Sequence, residues 1–293
     1  MPGRNGARPP RGDTPVQELR TGFAQFARSR FTLPEGVSFE AVDAGGVPAE
    51  WNVPRNVSQQ DPVILYTHGG GYCIGSIATH RGLTARLAQA ANARALSIDY
   101  RLAPENRFPA PLEDAVASYR WLLRQGIRPE RVVFAGDSAG GGLALAAMIA
   151  LRDQGEALPA AAVCMSPLTD LAHEGDSMRT RAKLDPLAQL ASSTASAHRY
   201  VGDDGDLKAP LASPLYADLR GLPPTLILVG TWETLLDDST RWAERARAAG
   251  CDVSIELWEE MIHIFPIFAD ELPEARQAIA RMGEYIKQKT AAR

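Results

Sequence analysis

A single serine stands between two glycines at the point where a buried strand should give way to a helix. Residues 131–142 read R-V-V-F-A-G-D-S-A-G-G-G, and a run of Ala, Leu, Met and Ile follows. This pattern predicts a strand, a tight turn carrying Ser138, and a helix packed against a sheet. Gly136 and Gly140 would let the backbone pass close to the turn, and the helix N-terminus would favour negative charge near the serine oxygen. The G-x-S-x-G sequence in this setting predicts a nucleophilic serine.

One histidine has the position of a partner for that serine. A serine hydroxyl is a weak nucleophile near neutral pH and needs an adjacent base, which a third group orients. Of the five histidines, only His263 comes after the last predicted strand, 252–258, so it would leave the same sheet edge as Ser138. The chain order serine, acid, histidine also requires a late histidine. His263 is therefore the predicted base.

Three carboxylates could orient the imidazole of His263. Glu233, Asp237 and Asp238 all follow the strand predicted at 225–230. Glu233 is three residues past this strand, in a loop from which a carboxylate could reach the imidazole. Asp237 and Asp238 fall in the first turns of the next predicted helix, where acids are common because they complement the helix dipole. We predict Glu233 as the acid and keep Asp237 as the alternative.

A glycine-rich loop precedes the serine in the chain. The strand predicted at 62–67 runs directly into H-G-G-G at 68–71. Such a loop leaves main-chain N–H groups uncovered, and fixed N–H donors lower the barrier to acyl transfer by binding the charge that develops on the carbonyl oxygen. Gly70 and Gly71, with the N–H of Ala139 just after the nucleophile, are the predicted oxyanion hole.

Composition argues against several other classes of function. The 293 residues include 45% hydrophobic and 23% charged residues, which is ordinary for a globular protein. The net charge of −4 gives no electrostatic basis for binding nucleic acid or an anionic membrane surface. No cluster of side chains has the spacing of metal ligands, so we expect no metal and no cofactor.

The same composition bears on the compartment. The longest apolar run, 143–151, is far shorter than the roughly 18 residues of a membrane helix. No basic-then-apolar leader opens the chain. Cys73, Cys164 and Cys251 form no C-x-x-C pair, and reduced thiols are the simplest interpretation. We therefore expect a cytoplasmic protein that does not span a membrane.

Apolar runs of strand length alternate with helical patterns over most of the chain. This alternation implies right-handed crossovers and a mainly parallel sheet with helices on both faces, which is an α/β fold. The predicted strands are 37–42, 47–53, 62–67, 93–99, the run before Gly136, 160–165, 225–230 and 252–258. The predicted helices are 15–31, 80–92, 111–125, the run from the serine turn to 153, 235–249 and 273–289.

Two stretches fall outside this alternation. Residues 1–13 are rich in Arg, Gly and Pro, and we expect them to be mobile. Residues 171–211 are polar and carry no good strand pattern. They are interpreted as an insertion above the carboxyl ends of the strands, where lids are built.

Taken together, the motifs resemble those of the hormone-sensitive-lipase-like carboxylesterases of the α/β-hydrolase fold. The resemblance extends over about residues 60–270. The matching segments are H-G-G-G-Y-C-I-G (68–75), D-Y-R-L-A-P-E (99–105), F-P-A-P-L-E-D (108–114), G-D-S-A-G-G (136–141), S-P-L-T-D (166–170), G-L-P-P-T-L-I-L-V-G (221–230) and M-I-H-I-F (261–265).

The resemblance implies an α/β-hydrolase fold with a mostly parallel eight-stranded sheet, flanking helices and a helical cap. It also implies a serine esterase that hydrolyses short- to medium-chain carboxylic esters. The family's triad matches Ser138, Glu233 and His263, although the family usually has Asp where this chain has Glu233. Its oxyanion hole matches Gly70, Gly71 and Ala139. The corresponding division of the chain is cap from 1–45 and 172–212, and catalytic domain from 46–171 and 213–293.

The resemblance leaves supporting roles to other motif residues. His68 and Gly69 would support the glycine loop, and Asp137 would hydrogen-bond neighbouring backbone instead of transferring protons. Arg101 and Glu105 are interpreted as parts of a structural turn. Dimers are common among similar enzymes, and the sequence leaves the choice between monomer and homodimer open.

Three other activities are compatible with parts of the pattern. A serine amidase or peptidase would use the same fold on a different bond, although the H-G-G-G loop disfavours it. A non-catalytic ligand-binding relative, as in the gibberellin receptors that resemble this family, would lack the catalytic histidine, whereas this chain retains His263. A true lipase would need an extended apolar lid, which residues 172–212 do not show.

Overall fold

An eight-stranded sheet forms the centre of the protein, seen in a computed structural model that describes residues 14–291. The strand order is β1-β2-β4-β3-β5-β6-β7-β8, with β1–β2 and β2–β4 antiparallel and every other pair parallel. The strands are β1 Val37–Asp43, β2 Pro48–Pro54, β3 Val63–Thr67, β4 Arg94–Ile98, β5 Val132–Asp137, β6 Ala161–Met165, β7 Thr225–Gly230 and β8 Val253–Trp258. The predicted mostly parallel eight-stranded sheet is confirmed. The mobility predicted for residues 1–13 lies outside the described residues.

Helices cover both faces of the sheet. They are α1 Val16–Arg30, α2 Ile77–Ala91, α3 Ala110–Arg124, α4 Ala139–Asp153, α5 Ser177–Thr180, α6 Leu190–Val201, α7 Leu236–Ala248 and α8 Pro273–Thr290. One core joins α3, α4 and α7 to one face, and a second core joins α2 and α8 to the other. Alternate residues of β3 serve the two cores: Leu65 enters the first, whereas Ile64 and Tyr66 enter the second. This two-sided burial explains why the central strands are continuous apolar runs.

One predicted helix begins earlier than expected. We placed its start at His80, but α2 begins at Ile77 because Ser76 and Thr79 form a reciprocal capping box. His80 therefore lies inside the first turn, where it is buried. The other predicted helices agree with the structure to within a few residues.

The predicted insertion contains helices and no strand within its described residues. Between β6 and β7 the chain forms the short α5, the longer α6 and a 3₁₀ turn at Pro214–Tyr216. The buried apolar side chains of this stretch, among them Met178, Ala197 and Tyr200, belong to the first core. No helix among residues 14–291 is long and apolar enough to cross a membrane.

Polar contacts attach helix α1 to the loops beside it. Arg20 donates to the carbonyl oxygens of Cys73 (2.8 Å) and Ala103 (3.0 Å), and it pairs with the carboxylate of Glu105 at 2.7 Å. Just past the helix, the N–H of Thr32 donates to the carboxylate of Asp270 at 2.8 Å. Glu105 therefore holds α1 against the loop that follows β4.

Candidate active site

Ser138 occupies the turn between β5 and α4 in a strained backbone conformation. Its φ of 52° and ψ of −123° are unfavourable for a residue with a Cβ, and such strain costs about 1–3 kcal/mol. A Cβ on Gly140 would lie 2.0 Å from the carbonyl oxygen of Thr67, and one on Gly136 would lie 2.5 Å from backbone atoms of Gly140. Both glycines are therefore required by close backbone approach, and they hold the serine above the sheet edge.

The structure brings the predicted base and acid to this serine. The Nε2 of His263 lies 2.9 Å from the Oγ of Ser138, and its Nδ1 lies 2.7 Å from the Oε2 of Glu233. His263 is in the loop after β8, and Glu233 is in the loop after β7, so the carboxyl ends of neighbouring parallel strands meet at one edge. The two loops are joined by a hydrogen bond from the N–H of Trp232 to the carbonyl oxygen of Met261 (3.1 Å).

The alternative acids are bound elsewhere. The Oδ2 of Asp237 accepts the N–H of Ser177 at 2.8 Å. The Oδ2 of Asp238 accepts the N–H groups of Thr169 and Asp170, both at 2.8 Å. Both side chains thus hold the segment that follows β6, while Glu233 is the carboxylate against the imidazole.

Burial and charge act in opposite directions on the imidazole. Burial disfavours the imidazolium form of His263, but the hydrogen bond and charge of Glu233 outweigh burial. The more distant carboxylates of Asp185 and Asp137 add to this effect, so the pKa of His263 lies above its ordinary value of 6.5. A raised pKa suits a group that must accept a proton from a serine and later return it.

A second serine contacts the loop that carries the base and adjoins the acid. The Oγ of Ser166, directly after β6, accepts the N–H of Ile264 at 3.1 Å, and its side chain is close enough to Glu233 to oppose the rise that burial causes in the pKa of that carboxyl. The Oε1 of Glu233 accepts the N–H of Gly230 at 2.7 Å. Sequence reasoning did not assign a role to Ser166. Its only signal was its place at the start of the S-P-L-T-D segment.

The glycine loop lies beside Ser138. Gly70 and Gly71 have φ values of 120° and 59°, and both line the same cavity as Ser138 and His263. The carbonyl oxygen of Gly70 accepts the N–H groups of the third and fourth residues after it, so the loop is a tight turn. Ala139 is the first residue of α4, and the first N–H groups of a helix have no partner within it. Gly70 and Gly71 therefore line the cavity onto which Ser138 opens, and Ala139 adjoins this serine in the chain.

Asp137 ties the glycine loop to the serine turn. This buried carboxylate accepts the N–H of Gly69 at 3.0 Å and the hydroxyl of Tyr66 at 2.6 Å, and its Oδ2 lies 3.3 Å from the Nε2 of His80. Burial works against its charge, but His80 and Tyr66 hold the pKa of Asp137 below its ordinary value. This backbone partner is 68 residues away in the chain, and it lies close in space because β3 and β5 are neighbours in the sheet.

His68 supports the loop without approaching the serine. Its Nδ1 lies 2.8 Å from the carbonyl oxygen of Gly69, and its ring stacks on Tyr100 with centroids 4.3 Å apart. Burial lowers the pKa of His68 to about 3, so this imidazole is neutral near neutral pH. A Cβ on Gly69 would lie 2.2 Å from Asp137, so a larger residue there would displace the contact between loop and turn.

A mainly apolar cavity of about 240 Å³ opens onto Ser138 and His263. Leu19, Phe23 and Phe26 of α1 line one side of it, and Leu187 and Ala188 of the insertion line another. A larger depression, of about 680 Å³, lies near the start of β5 at the other end of the strands. None of its described lining residues is a serine, cysteine or histidine, so the smaller cavity is the candidate active site.

The chain is similar to several known proteins. A family described as having the alpha/beta hydrolase fold matches residues 64–267. An acetyl-hydrolase of Streptomyces hygroscopicus is 45% identical over 95% of this chain and 91% of its own length. A carboxylesterase/phospholipase of Mycobacterium tuberculosis is 33% identical over 93% of this chain and 75% of its own. The crystal structure of an esterase from the bacterial hormone-sensitive lipase family superposes with a TM-score of 0.93 at 47% identity, covering 97% of this chain and 94% of that one.

A family match over residues 64–267 and a 45% identical relative are together sufficient to place the chain. The strand order and the turn between β5 and α4 are consistent with that placement. The chain therefore belongs to the α/β-hydrolase fold family, as a carboxylic ester hydrolase of the hormone-sensitive-lipase-like group.

Proposed function

We propose that the protein hydrolyses carboxylic esters through an acyl-enzyme on Ser138, with His263 as base and Glu233 as the acid that orients it. The observation that carries this proposal is the continuous path from the Ser138 hydroxyl to His263 (2.9 Å) and from His263 to Glu233 (2.7 Å). Glu233 fixes the proton on Nδ1, so Nε2 is free to accept the proton of the serine.

The reaction runs in two halves. The Oγ of Ser138 attacks the ester carbonyl carbon while the Nε2 of His263 takes its proton. The resulting tetrahedral intermediate collapses, the bond to the alcohol oxygen breaks, and His263 returns the proton to the departing alcohol. Water then loses a proton to His263 as it attacks the acyl-enzyme, and the acid leaves as the proton returns to Ser138.

The main-chain N–H groups of Gly70, Gly71 and Ala139 would bind the oxyanion formed in each half. Their position on the wall that carries Ser138 supports this role. Removing one donor of an oxyanion hole typically costs about 10²–10³ in kcat, so these groups would contribute a large share of the rate. Because Asp137 holds the Gly69 N–H, the donors would be fixed before substrate arrives.

The cavity supports short to medium acyl chains as substrates. Its volume of about 240 Å³ and its apolar lining suit a few methylene groups beyond the ester carbonyl. We further propose that the N-terminal segment, 1–45, and the insertion, 172–212, form a cap over a catalytic domain built from 46–171 and 213–293. Within the described residues, α1, α6 and the segment before α6 all line the cavity, which supports this division.

We also propose a cytoplasmic location, which the state of the cysteines supports. Cys73, Cys164 and Cys251 are all free, which is consistent with a reducing, cytoplasmic environment. Burial raises the pKa of the Cys73 thiol to about 11, so this cysteine has no reactive thiolate near neutral pH. The homodimer stays a prediction.

The experiment is a comparison of Ser138→Ala with Ser38→Ala on p-nitrophenyl esters from acetate to palmitate. Ser38 lies on the exposed edge strand β1 and provides a control for loss of a hydroxyl. We expect the parent to prefer short to medium chains, Ser138→Ala to fold with unchanged Tm and no turnover, and Ser38→Ala to match the parent. Ester turnover retained by Ser138→Ala, or a parent that does not react with a fluorophosphonate, would refute the acyl-enzyme. Faster cleavage of matched p-nitroanilides would favour the amidase alternative.

A further inference from the structure

The residue directly after Glu233 is held by the insertion at each of its polar atoms. The N–H of Thr234 donates to the Oδ2 of Asp185 at 2.9 Å, and its carbonyl oxygen accepts the hydroxyl of Ser177 at 2.6 Å. Its own hydroxyl lies 3.2 Å from the Oδ2 of Asp185 and 3.0 Å from the carbonyl oxygen of Ala188. The loop that carries the acid is thus fixed from outside the β7–α7 connection.

Asp185 is the centre of these contacts. Its side chain is 1% exposed, and it is located in the insertion, 49 residues before Thr234. While the Oδ2 binds Thr234, the Oδ1 accepts the N–H groups of Leu187 (2.9 Å) and Ala188 (3.3 Å). A buried carboxylate is costly unless its oxygens are hydrogen-bonded, and here donors from two separate segments satisfy them.

The two segments that Asp185 joins both belong to the site. Leu187 and Ala188 line the cavity, and Thr234 adjoins the carboxylate that contacts His263. A displacement of Asp185 would therefore move a cavity wall and the acid loop together. Ser177 strengthens the same connection, because its hydroxyl also accepts the N–H of Asp237 at 3.0 Å.

We propose that Asp185 is a positioning residue for ester hydrolysis, which holds the Glu233 loop and the Leu187–Ala188 wall in one arrangement and adds a negative charge beside His263. This inference rests on the proposed triad. The insertion would then take part in catalysis as well as cover the cavity. Glu233 would contact His263 correctly only when the insertion, through Asp185, holds the residue that follows Glu233.

Three carboxylates from different elements act on the charge of the imidazole, and Glu233 is the one in contact with it. Glu233 comes from the loop after β7, Asp137 from the end of β5, and Asp185 from the insertion. Each of them favours the imidazolium form, whereas burial disfavours it, and the net result is a raised pKa for His263. Because His263 must be neutral to accept the serine proton, kcat/KM should fall as pH decreases through this raised pKa.

The test is Asp185→Asn, compared with Asp176→Asn as a control of equal charge change in the same insertion. Asp176 is 83% exposed and pairs only with Arg179 among the described ion pairs. An amide at 185 cannot accept hydrogen bonds on both sides, so we expect kcat to fall ~10- to 100-fold. Loss of its charge should also move the acidic midpoint of the kcat/KM profile of p-nitrophenyl butyrate to lower pH. Asp176→Asn should leave both quantities at parental values.

The possible outcomes distinguish a positioning role of Asp185 from a purely structural one. Thermal unfolding shows whether Asp185→Asn is folded. If it is folded and has the same kcat and the same acidic midpoint of kcat/KM as Asp176→Asn, the proposal is wrong. A lower kcat with an unmoved midpoint would also overturn it, since a purely structural residue would behave in that way. If Asp185→Asn does not fold, the test is made with Thr234→Val, which removes the hydroxyl that contacts Asp185. A lower kcat at unchanged Tm would support the positioning role of Asp185, and a parental kcat would refute it.

Failure of the proposed triad has a different signature. If the triad were wrong, Ser138→Ala would retain turnover whatever happened at position 185. If only this inference were wrong, Ser138→Ala would be inactive, whereas Asp185→Asn would keep the parental rate and pH profile. The two sets of measurements can therefore be interpreted independently.

Discussion

Replacing Glu233 by glutamine tests the arrangement of the site most directly. Both oxygens of this carboxylate accept hydrogen bonds: Oε1 from the Gly230 N–H and Oε2 from His263, each at 2.7 Å. An amide of the same size can accept on one side only, because its other end is a donor. In Glu233→Gln, either the Gly230 N–H or the Nδ1–H of His263 must therefore lose its acceptor, although the shape of the site is kept.

The expected size of the effect follows from the lost charge. At a separation of about 4 Å and an effective dielectric of about 20, a carboxylate stabilises an imidazolium by ~4 kcal/mol. Because about 1.4 kcal/mol corresponds to a tenfold change in rate, this is about 10³ in kcat. An amide can also favour the wrong tautomer of His263, so the total should approach about 10³–10⁴.

The assay is steady-state hydrolysis of p-nitrophenyl butyrate, with Asp237→Asn as the matched control. Asp237 is the other candidate acid, and its carboxylate binds the Ser177 N–H, which an asparagine carbonyl can still accept. We expect Asp237→Asn to keep kcat within about threefold of the parent. Thermal unfolding should show that both variants are folded at the assay temperature.

Two results would refute this reasoning. If Glu233→Gln kept more than about a tenth of the parental kcat, the carboxylate would not be contributing the expected charge stabilisation. If Asp237→Asn lost as much activity as Glu233→Gln while remaining folded, the acid would have been misassigned.

Two further predictions concern stability. Gly140→Ala should destabilise the fold and abolish ester turnover, because its Cβ would lie 2.0 Å from the Thr67 carbonyl oxygen; Gly22→Ala, whose Cβ meets nothing within 4 Å, should instead stabilise α1 by about 0.5–1 kcal/mol. Urea unfolding checks both, and an active, stable Gly140→Ala would contradict the close approach. Burial and the neighbouring Asp170 raise the pKa of Asp238 to about 8, so the native state holds a proton that the unfolded chain releases near pH 4, and stability should fall as pH rises between these values. Asp238→Asn should not show this loss. The difference in Tm between the variant and the parent should therefore be roughly 3–10 °C larger at pH 8 than at pH 5. A difference in Tm that is the same at both pH values would refute the raised pKa of Asp238.

The sequence was most informative where chemistry follows directly from a strand. Ser138, Glu233 and His263 each come shortly after an apolar run, and parallel strands place such positions at one edge. Their approach to one another could therefore be predicted from order and spacing. The choice of Glu233 over Asp237 also followed from distance along the chain, because only the former stays in the loop before α7 begins.

The parts that could not be predicted depend on contacts between distant segments. Asp185 lies in a polar stretch with no motif and no periodic pattern, and its partner Thr234 is 49 residues away. Ser166 was visible as part of a matching segment, but its contact with Glu233 depends on how the chain turns after β6. The sequence also did not name Gly69 as the backbone partner of Asp137, because this contact depends on the pairing of β3 with β5. Such contacts are set by tertiary packing, which local sequence patterns do not encode.

The attachment of α1 makes the wall of the cavity independent of the packing of the sheet. Ala27 is the only buried residue of this fully described helix, which is fastened by Arg20 and, just beyond its end, by Thr32. Its cavity-facing Leu19 and Phe23 lie outside the two hydrophobic cores. Substitution of these two side chains should therefore change the wall of the cavity while the sheet keeps its packing. Changes in the cavity wall at these positions should therefore have little effect on the stability of the fold.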